Sequence, residues 1–173
     1  LKSSISVVTC NKIAAAENYA YYSNLKQLAR TYNAPYLFET NVGAGLPIID
    51  TLNHLIASGD KVHTIQAILS GSLNFVFNEF NDKTTFREVV QQAMDAGFTE
   101  PDPKIDLSGV DVARKILILA RESGLEMELS DIENESFLPK ACLETKDNDS
   151  FLSSLDDHND HFEKLFTAAS SKN

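Results

Sequence analysis

The stretch Gly97–Lys115 holds the residues whose types and spacing best suit chemistry. Two of its acids, Glu100 and Asp102, each precede a proline, and proline restricts the residue before it to extended backbone. Acids on a stiff backbone lose less conformational entropy when they organise around a ligand. The stretch is therefore a candidate site for a substrate that bears an ammonium group. Its candidate anchors are the carboxylates of Glu100, Asp106 and Asp111.

A carboxylate and an ammonium follow on the next helical segment. Asp111 and Lys115 are four residues apart, so they share one face of a helix. A lysine beside a bound substrate could give or take a proton at a carbonyl or an alcohol. The helix alone equally fits an exposed ion pair, worth about 0.3–0.5 kcal/mol, or a capping box between Ser108 and Asp111. Only the acidic loop before the helix favours the catalytic interpretation.

A second candidate site surrounds a glycine turn. Glu39 lies shortly before the run 42–45, Val-Gly-Ala-Gly, and a helical pattern follows. A turn of this kind can aim backbone carbonyls at a hard cation, to which Glu39 would add charge. A plain turn before a helix explains the same residues. The run is not a dinucleotide-binding fingerprint, because Ile48 replaces its third glycine.

Hydrophobic periodicity predicts a chain that mixes strands and helices, in class α+β (mixed α/β). We expect strands at 6–10, 36–38, 62–69 and within 131–138. We expect helices at 17–32, 47–57, 73–80, 86–96 and 110–123. Gly97 is the expected C′ residue of the fourth helix. The predicted architecture is a mixed sheet with helices packed on one face, and an amphipathic helical tail over 141–173 that docks loosely or needs a partner.

Composition limits the possible function classes. The 173 residues carry a net charge of −10, which argues against a nucleic-acid surface. Neither a membrane-spanning apolar run nor a signal peptide is recognisable. Cys10 and Cys142 have no metal or redox spacing and are expected to be reduced thiols in a cytoplasmic protein. Because the chain begins at Leu1 and almost at once enters an apolar strand, we expect a piece of a longer polypeptide.

Three motifs, in one order, carry a family resemblance. The run 97–115, GFTEPDPKIDLSGVDVARK, closely resembles the signature of homoserine dehydrogenase. The runs 39–47 and 69–74 are similar to that family's other motifs. The resemblance covers roughly residues 5–140 and looks most like the dehydrogenase half of the bifunctional aspartokinase–homoserine dehydrogenases.

The resemblance implies an activity, a substrate and a cofactor. The implied reaction is the NAD(P)H-dependent interconversion of L-aspartate 4-semialdehyde and L-homoserine, in threonine, methionine and isoleucine biosynthesis. Lys115 matches the catalytic lysine that donates a proton to the carbonyl. Lys12 matches a lysine at the cofactor that can share in proton transfer, and Gly97 matches a cofactor contact.

The same resemblance assigns the remaining candidate residues. Those that match the substrate pocket are Glu100, Asp106, Asp111 and Ser72. Those that match a monovalent cation site, normally sodium, are Glu39, Val42, Ala44 and Leu46.

Domain organisation also follows from the resemblance. Residues 1–35 are expected to be the last part of a Rossmann-type nucleotide-binding domain, and 36–140 a catalytic and dimerisation domain that forms a homodimer. This chain has Phe98 where many members have tyrosine. It also has no glycine-rich phosphate loop. Because of the missing loop, we expect the chain by itself to be inactive. The alternative is a non-catalytic module for amino-acid binding or dimerisation.

Overall fold

Helices account for most of residues 1–171, which are the residues that the computed structural model describes. They divide into two compact units, the first made of Leu1–Leu69 with Val112–Asn134 and the second of Ser70–Asp111 with 135–171. Within the described part of the chain, none of the helices has the length and apolar character needed to span a bilayer. Residues 172 and 173 of the predicted tail lie outside the described residues.

The first unit contains the only strands found within residues 1–171. In chain order its elements are β1 (Val7–Val8), α1 (Ile13–Ala16), α2 (Tyr19–Thr31), β2 (Tyr36–Leu37), α3 (Ile48–Ala57) and, from Val112 onward, α7 (Val110–Glu122). The two strands are parallel and pair Val7 with Tyr36 and Val8 with Leu37. The apolar faces of the helices enclose a core. It consists of Ala15, Tyr22, Phe38, Val42, Ile49, Ile118 and Leu119.

The predicted mixed sheet is wrong, because the sheet has two short parallel strands. A strand needs a hydrogen-bonded neighbour, and the predicted strand at 62–69 belongs to no ladder within residues 1–171. Its alternating pattern is only partly matched by burial: Ile65 and Leu69 pack on the core, but His63 and Ala67 are exposed, as are Val62 and Ile68. The predicted strand within 131–138 is also absent, and a 3₁₀ turn at Leu129–Asp131 precedes irregular chain there. The class is mixed α and β, as expected, with helices predominant.

The second unit is helical, and several of its helices begin at a side-chain cap. Its helices are α4 (Gly71–Glu79), α5 (Phe86–Asp95), α6 (Pro103–Leu107), α8 (Lys140–Leu143), α9 (Asn148–Asp157) and α10 (Asn159–Ser170). Those that begin at a side-chain cap are α4, α5, α6 and α9. Thr85 and Glu88 form a reciprocal capping box at α5, which satisfies two backbone N–H groups. Asp147 caps α9 by accepting from the Ser150 N–H at 2.8 Å, and this bond, ahead of all other causes, lowers the pKa of Asp147. The starts of α5 and α9 are therefore set by local hydrogen bonds.

The C-terminal helices belong to the core of the second unit and are not a loosely docked tail. Phe151 and Leu155 of α9 are fully buried, and Phe162 of α10 is 2% exposed. The ring of Phe162 stacks on that of Phe86 with centroids 4.0 Å apart. Burial of such side chains stabilises by about 1.5–3 kcal/mol each. The amphipathic spacing predicted these helices, but only the structure identifies the surface that they cover.

A buried polar network lies in the first unit. The Glu122 side chain is 1% exposed and accepts from the Lys26 ammonium at 2.9 and 3.0 Å and from the Asn53 amide at 3.1 Å. It also accepts a short hydrogen bond from the Tyr22 hydroxyl. Burial, followed by the charge of Glu122 and this hydrogen bond, raises the pKa of Tyr22 well above its ordinary value. The network thus ties α2 and α3 to α7.

This network predicts a specific dependence on alkaline pH. Below the ordinary tyrosine pKa of about 10, Tyr22 keeps its proton in both folded and unfolded chains, so its full contribution to stability is present. Above that pH the unfolded chain loses the proton and the folded chain retains it, so the free energy of unfolding falls as pH rises. We expect Tyr22→Phe to cost about 1.5–3 kcal/mol near pH 8 and progressively less above pH about 10. Urea unfolding of both proteins across this range measures the difference.

Tyr21→Phe is the matched control, because Tyr21 lies in the same helix and is 46% exposed. It should leave both the stability and its pH slope close to those of the parent chain. A Tyr22→Phe protein with the same alkaline slope as the parent would contradict the assignment.

Candidate functional site

The acidic stretch folds as a loop followed by a short helix, α6. Asp102 accepts from the Lys104 N–H at 3.0 Å as the N-cap, and Pro103 occupies the first turn, where its missing N–H costs nothing. The prolines therefore do more than stiffen a loop, since Pro103 begins a helix that carries Asp106. Periodicity could not find this helix, because five residues are too few to show a period.

Asp106 joins two other predicted substrate residues. One carboxylate oxygen accepts from the Glu100 N–H at 2.8 Å, and the other accepts from the Ser72 hydroxyl at 3.0 Å. Since a carboxylate only accepts, the single Ser72 proton points to Asp106, and the hydroxyl of Ser70, 2.9 Å away, donates to Ser72. Ser70 and Ser72 are buried, whereas Glu100 is exposed. The second unit thus brings Ser72, Asp106 and Glu100 into one hydrogen-bonded group.

Lys115 belongs to the first unit. Its ammonium donates to the Leu69 carbonyl at 2.6 Å, which holds the side chain in one direction. Asp111 is partly buried in the first turn of α7, one helical turn before Lys115. The helix α7 confirms the predicted helical spacing of this pair.

The two predicted nicotinamide contacts, Lys12 and Gly97, lie at helix ends. Lys12 is the partly buried N-cap residue of α1. Gly97 is the C′ residue of α5, as predicted: its φ is +73°, its N–H donates to Met94 at 3.0 Å, and the next N–H donates to Ala93 at 2.9 Å. A Cβ at Gly97 would meet nothing within 4 Å, so the backbone there is open to a ligand. Phe98, in place of the family's tyrosine, packs on Phe75 with ring centroids 4.7 Å apart.

The turn after Glu39 has unusual backbone. Gly43 and Ala44 both have positive φ, +82° and +52°, and a Cβ at Gly43 would lie 2.5 Å from Ile48. The Glu39 carboxylate accepts from the Ile49 and Asp50 N–H groups at 2.8 Å each, so it caps α3. No cluster of three or more acidic, histidine or cysteine side chains suited to a metal occurs within residues 1–171. A cation at this turn would therefore be held mainly by backbone carbonyls.

Sequence reasoning missed several residues around these sites. The Lys104 side chain is only 14% exposed, and its ammonium donates to the Thr145 carbonyl at 2.7 Å. The Asn148 amide donates to the Pro101 carbonyl at 2.8 Å. Both bonds cross more than 40 positions of the chain. No local pattern signals such a contact, whereas a serine just before an apolar run is a recognisable N-cap signal for Ser70.

Comparison with protein families shows which family the chain belongs to. The family model described as homoserine dehydrogenase matches residues 47–169. The chain belongs to the homoserine dehydrogenase family. The matched region includes every predicted substrate residue and Lys115, but not Lys12, Glu39 or the other predicted cation ligands before residue 47.

Individual proteins are similar to this chain over most or all of its length. The chain is 47% identical to a bifunctional aspartokinase/homoserine dehydrogenase of Haemophilus influenzae, over 98% of this chain and 21% of that protein. It is similar to a crystal structure of a Candida auris protein of unknown function, with a TM-score of 0.91 and 37% identity over 100% of this chain and 50% of that one. A hyperthermophilic archaeal homoserine dehydrogenase in complex with NADPH has a TM-score of 0.64 and 34% identity over 70% of this chain and 37% of that one. The chain thus spans about a fifth to a half of these relatives' lengths.

Proposed function

We propose that this chain is the catalytic region of a homoserine dehydrogenase, which as part of a longer protein interconverts L-aspartate 4-semialdehyde and L-homoserine with NAD(P)H and is inactive by itself. The observation that carries the proposal is the group of Ser72, Asp106 and Glu100, which lies inside the region that matches the family. An acidic group of this kind suits the ammonium of an amino-acid substrate.

Each group has a role in the proposed reaction. Glu100 and Asp111 hold the substrate ammonium, and Asp106 orients the backbone of Glu100 and the hydroxyl of Ser72. Lys115 gives a proton to the carbonyl oxygen of the semialdehyde and takes it back from homoserine. Lys12 shares in that proton transfer. These residues contribute positioning and proton transfer.

The nicotinamide supplies the hydride that the substrate carbon gains or loses. Lys12, the N-cap residue of α1, and the open backbone of Gly97 fit a contact with that ring. The chain's sequence has no glycine-rich loop for the pyrophosphate, so most of the cofactor site is proposed to lie in other residues. β1, α1 and α2 are proposed to be the last part (1–35) of a nucleotide-binding domain, and β1 pairs in parallel with β2, which follows that part. Residues 36–140 are the proposed catalytic and dimerisation domain.

A chimera tests the proposed function. The segment that precedes the matched region in the Haemophilus influenzae relative is fused before Leu1, and homoserine-dependent reduction of NADP⁺ and NAD⁺ is followed by absorbance. The present chain is titrated with L-homoserine by calorimetry in parallel. Activity of the chimera supports the proposal. Homoserine binding with an inactive chimera supports the non-catalytic module, and the absence of both binding and activity overturns both functions.

A monovalent cation, sodium in the first instance, is proposed at the turn 39–46. Its ligands would be oxygens of Glu39, Val42, Ala44 and Leu46, and the scarcity of carboxylates there suits a singly charged ion better than a divalent one. We expect the melting temperature to be higher in NaCl than in choline chloride at equal ionic strength, because an ion that binds only the folded chain stabilises it. The sodium-dependent rise should shrink in Glu39→Gln and persist in the exposed control Glu133→Gln. Equal melting in both salts would contradict the site.

A homodimer is proposed through the segment 62–69. In this segment Ile68 is 79% exposed, and the segment belongs to no ladder within residues 1–171. Backbone that lies outside a ladder can pair with another strand, as an exposed sheet edge does. Sedimentation equilibrium should find a dimer for the chain and a weaker dimer or a monomer for Ile68→Lys. A monomeric parent chain would refute the proposal.

A further inference from the structure

The loop before α6 is held by the C-terminal part of the second unit. The Asn148 side-chain amide donates to the Pro101 carbonyl at 2.8 Å, directly after Glu100 in the chain. Three residues further on, the Lys104 ammonium donates to the Thr145 carbonyl at 2.7 Å. Neither Asn148 nor Lys104 has a role in the proposed reaction.

Asn148 and Thr145, which make these two bonds, are themselves held in place. Asn148 is the first residue of α9, whose start is fixed by the Asp147 cap and whose next turn buries Phe151 completely. The Thr145 hydroxyl donates to the Cys142 carbonyl at 2.8 Å, and Cys142 is itself fully buried. The partners of the loop are therefore anchored in the hydrophobic core of the second unit.

The same loop is held from its other side by Asp106. Its carboxylate accepts from the Glu100 N–H, so the backbone of Glu100 lies between the Asp106 bond and the Asn148 bond. Glu100 is exposed and has a long side chain, so its backbone position decides where its carboxylate can reach. Loss of either bond frees one side of the loop.

We propose that Asn148 and Lys104 are positioning residues, through which the C-terminal helices place Glu100 for the substrate ammonium. The inference rests on the proposed function for its substrate. Its structural part, the position of the Glu100 backbone, stands on the two hydrogen bonds alone.

Asn148→Asp separates this role from stability. The substitution keeps the size of the side chain, and a carboxylate at the start of a helix interacts favourably with the helix dipole, so α9 should remain folded. The N–H donor to Pro101 is lost, and one carboxylate oxygen faces a carbonyl. Lys104→Met, which removes the ammonium and retains most of the apolar side chain, is the second variant. Asn78→Asp is the matched control, because the exposed Asn78 amide donates only to Asn74 within α4, at 2.7 and 3.1 Å.

Two measurements test the proposal. Amide hydrogen exchange by NMR should be about five-fold faster at the Glu100 N–H in both variants, as expected for the loss of one hydrogen bond, and unchanged in Asn78→Asp. In the chimera, KM for L-homoserine should rise about five-fold while kcat changes less than about two-fold, because Lys115 is untouched. A merely structural defect would lower the melting temperature and kcat without this split.

The outcomes separate the two proposals. Unchanged Glu100 exchange and unchanged KM in both variants overturn the positioning role, even where the chimera is active. Faster Glu100 exchange in a protein that neither binds nor oxidises homoserine refutes the proposed function and, with it, the substrate part of this inference. Faster exchange together with a raised KM supports both.

Discussion

We expect Lys115→Met to lower the turnover of the active chimera with L-homoserine by about 10²- to 10⁴-fold, the usual contribution of a positioned proton donor. Lys115 is aimed by its 2.6 Å hydrogen bond to the Leu69 carbonyl, and methionine preserves its length and apolar stem without the exchangeable protons. Both kcat and kcat/KM should fall together, because the proton transfer stabilises the transition state and not the bound substrate.

The measurement is steady-state kinetics in both reaction directions, with L-homoserine binding followed by calorimetry. Lys61→Met is the control, since Lys61 is an exposed lysine of the same unit, and it should change turnover less than about two-fold. A Lys115→Met chimera with unchanged kcat would remove Lys115 from the chemistry. A raised KM with unchanged kcat would make it a binding residue.

Arg121→Met should lower the free energy of unfolding by about 3–5 kcal/mol, because several backbone carbonyls lose a charged hydrogen-bond donor at once. The Arg121 side chain has no exposed surface. It donates to the carbonyls of Ala15, Glu17 and Met127 at 2.6–3.0 Å, and to the Glu128 carboxylate at 3.2 Å. Methionine fills part of the volume but removes the donor to the three carbonyls, whereas Glu128 still accepts from the Tyr19 N–H.

Arg121 also binds the turn between α1 and α2, and Lys12 is the N-cap residue of α1. Chemical denaturation followed by circular dichroism measures the loss. Arg30→Met is the control, because Arg30 is exposed in the last turn of α2 and favours it through the helix dipole by about 0.3–1 kcal/mol. Equal losses of unfolding free energy in Arg121→Met and Arg30→Met would contradict the stabilising role of the Arg121 hydrogen bonds.

Helices were more predictable than strands in this chain, for a physical reason. A helix satisfies its backbone locally, so periodicity and caps were enough to place α2 and α5 to within a few residues. A strand needs a partner that no local pattern reveals. The run 62–69 therefore has the alternation of a strand but no ladder within the described chain, and the predicted mixed sheet was wrong.

In the candidate site, too, local features could be predicted from the sequence and contacts between distant residues could not. Acids before prolines, the helical spacing of Asp111 and Lys115, and the Gly97 cap could all be recognised locally, and family resemblance assigned roles that spacing alone left open. The bond between Asp106 and Ser72 could not be recognised, because 34 positions separate the two residues. The same holds for the bond between Lys104 and Thr145, which are 41 positions apart.

By itself, the sequence determined the positions of most helices, the acidic stretch 97–115 and membership of a family, because these depend on neighbouring residues and on order along the chain. Only the tertiary structure decided what each acid does. It turned the Glu39 carboxylate to the start of α3, used both Asp106 oxygens to hold Ser72 and Glu100, and packed the last two helices into the core of the second unit. Hydrogen bonds and packing between distant residues have no local signature, since they form only when folding brings those residues together.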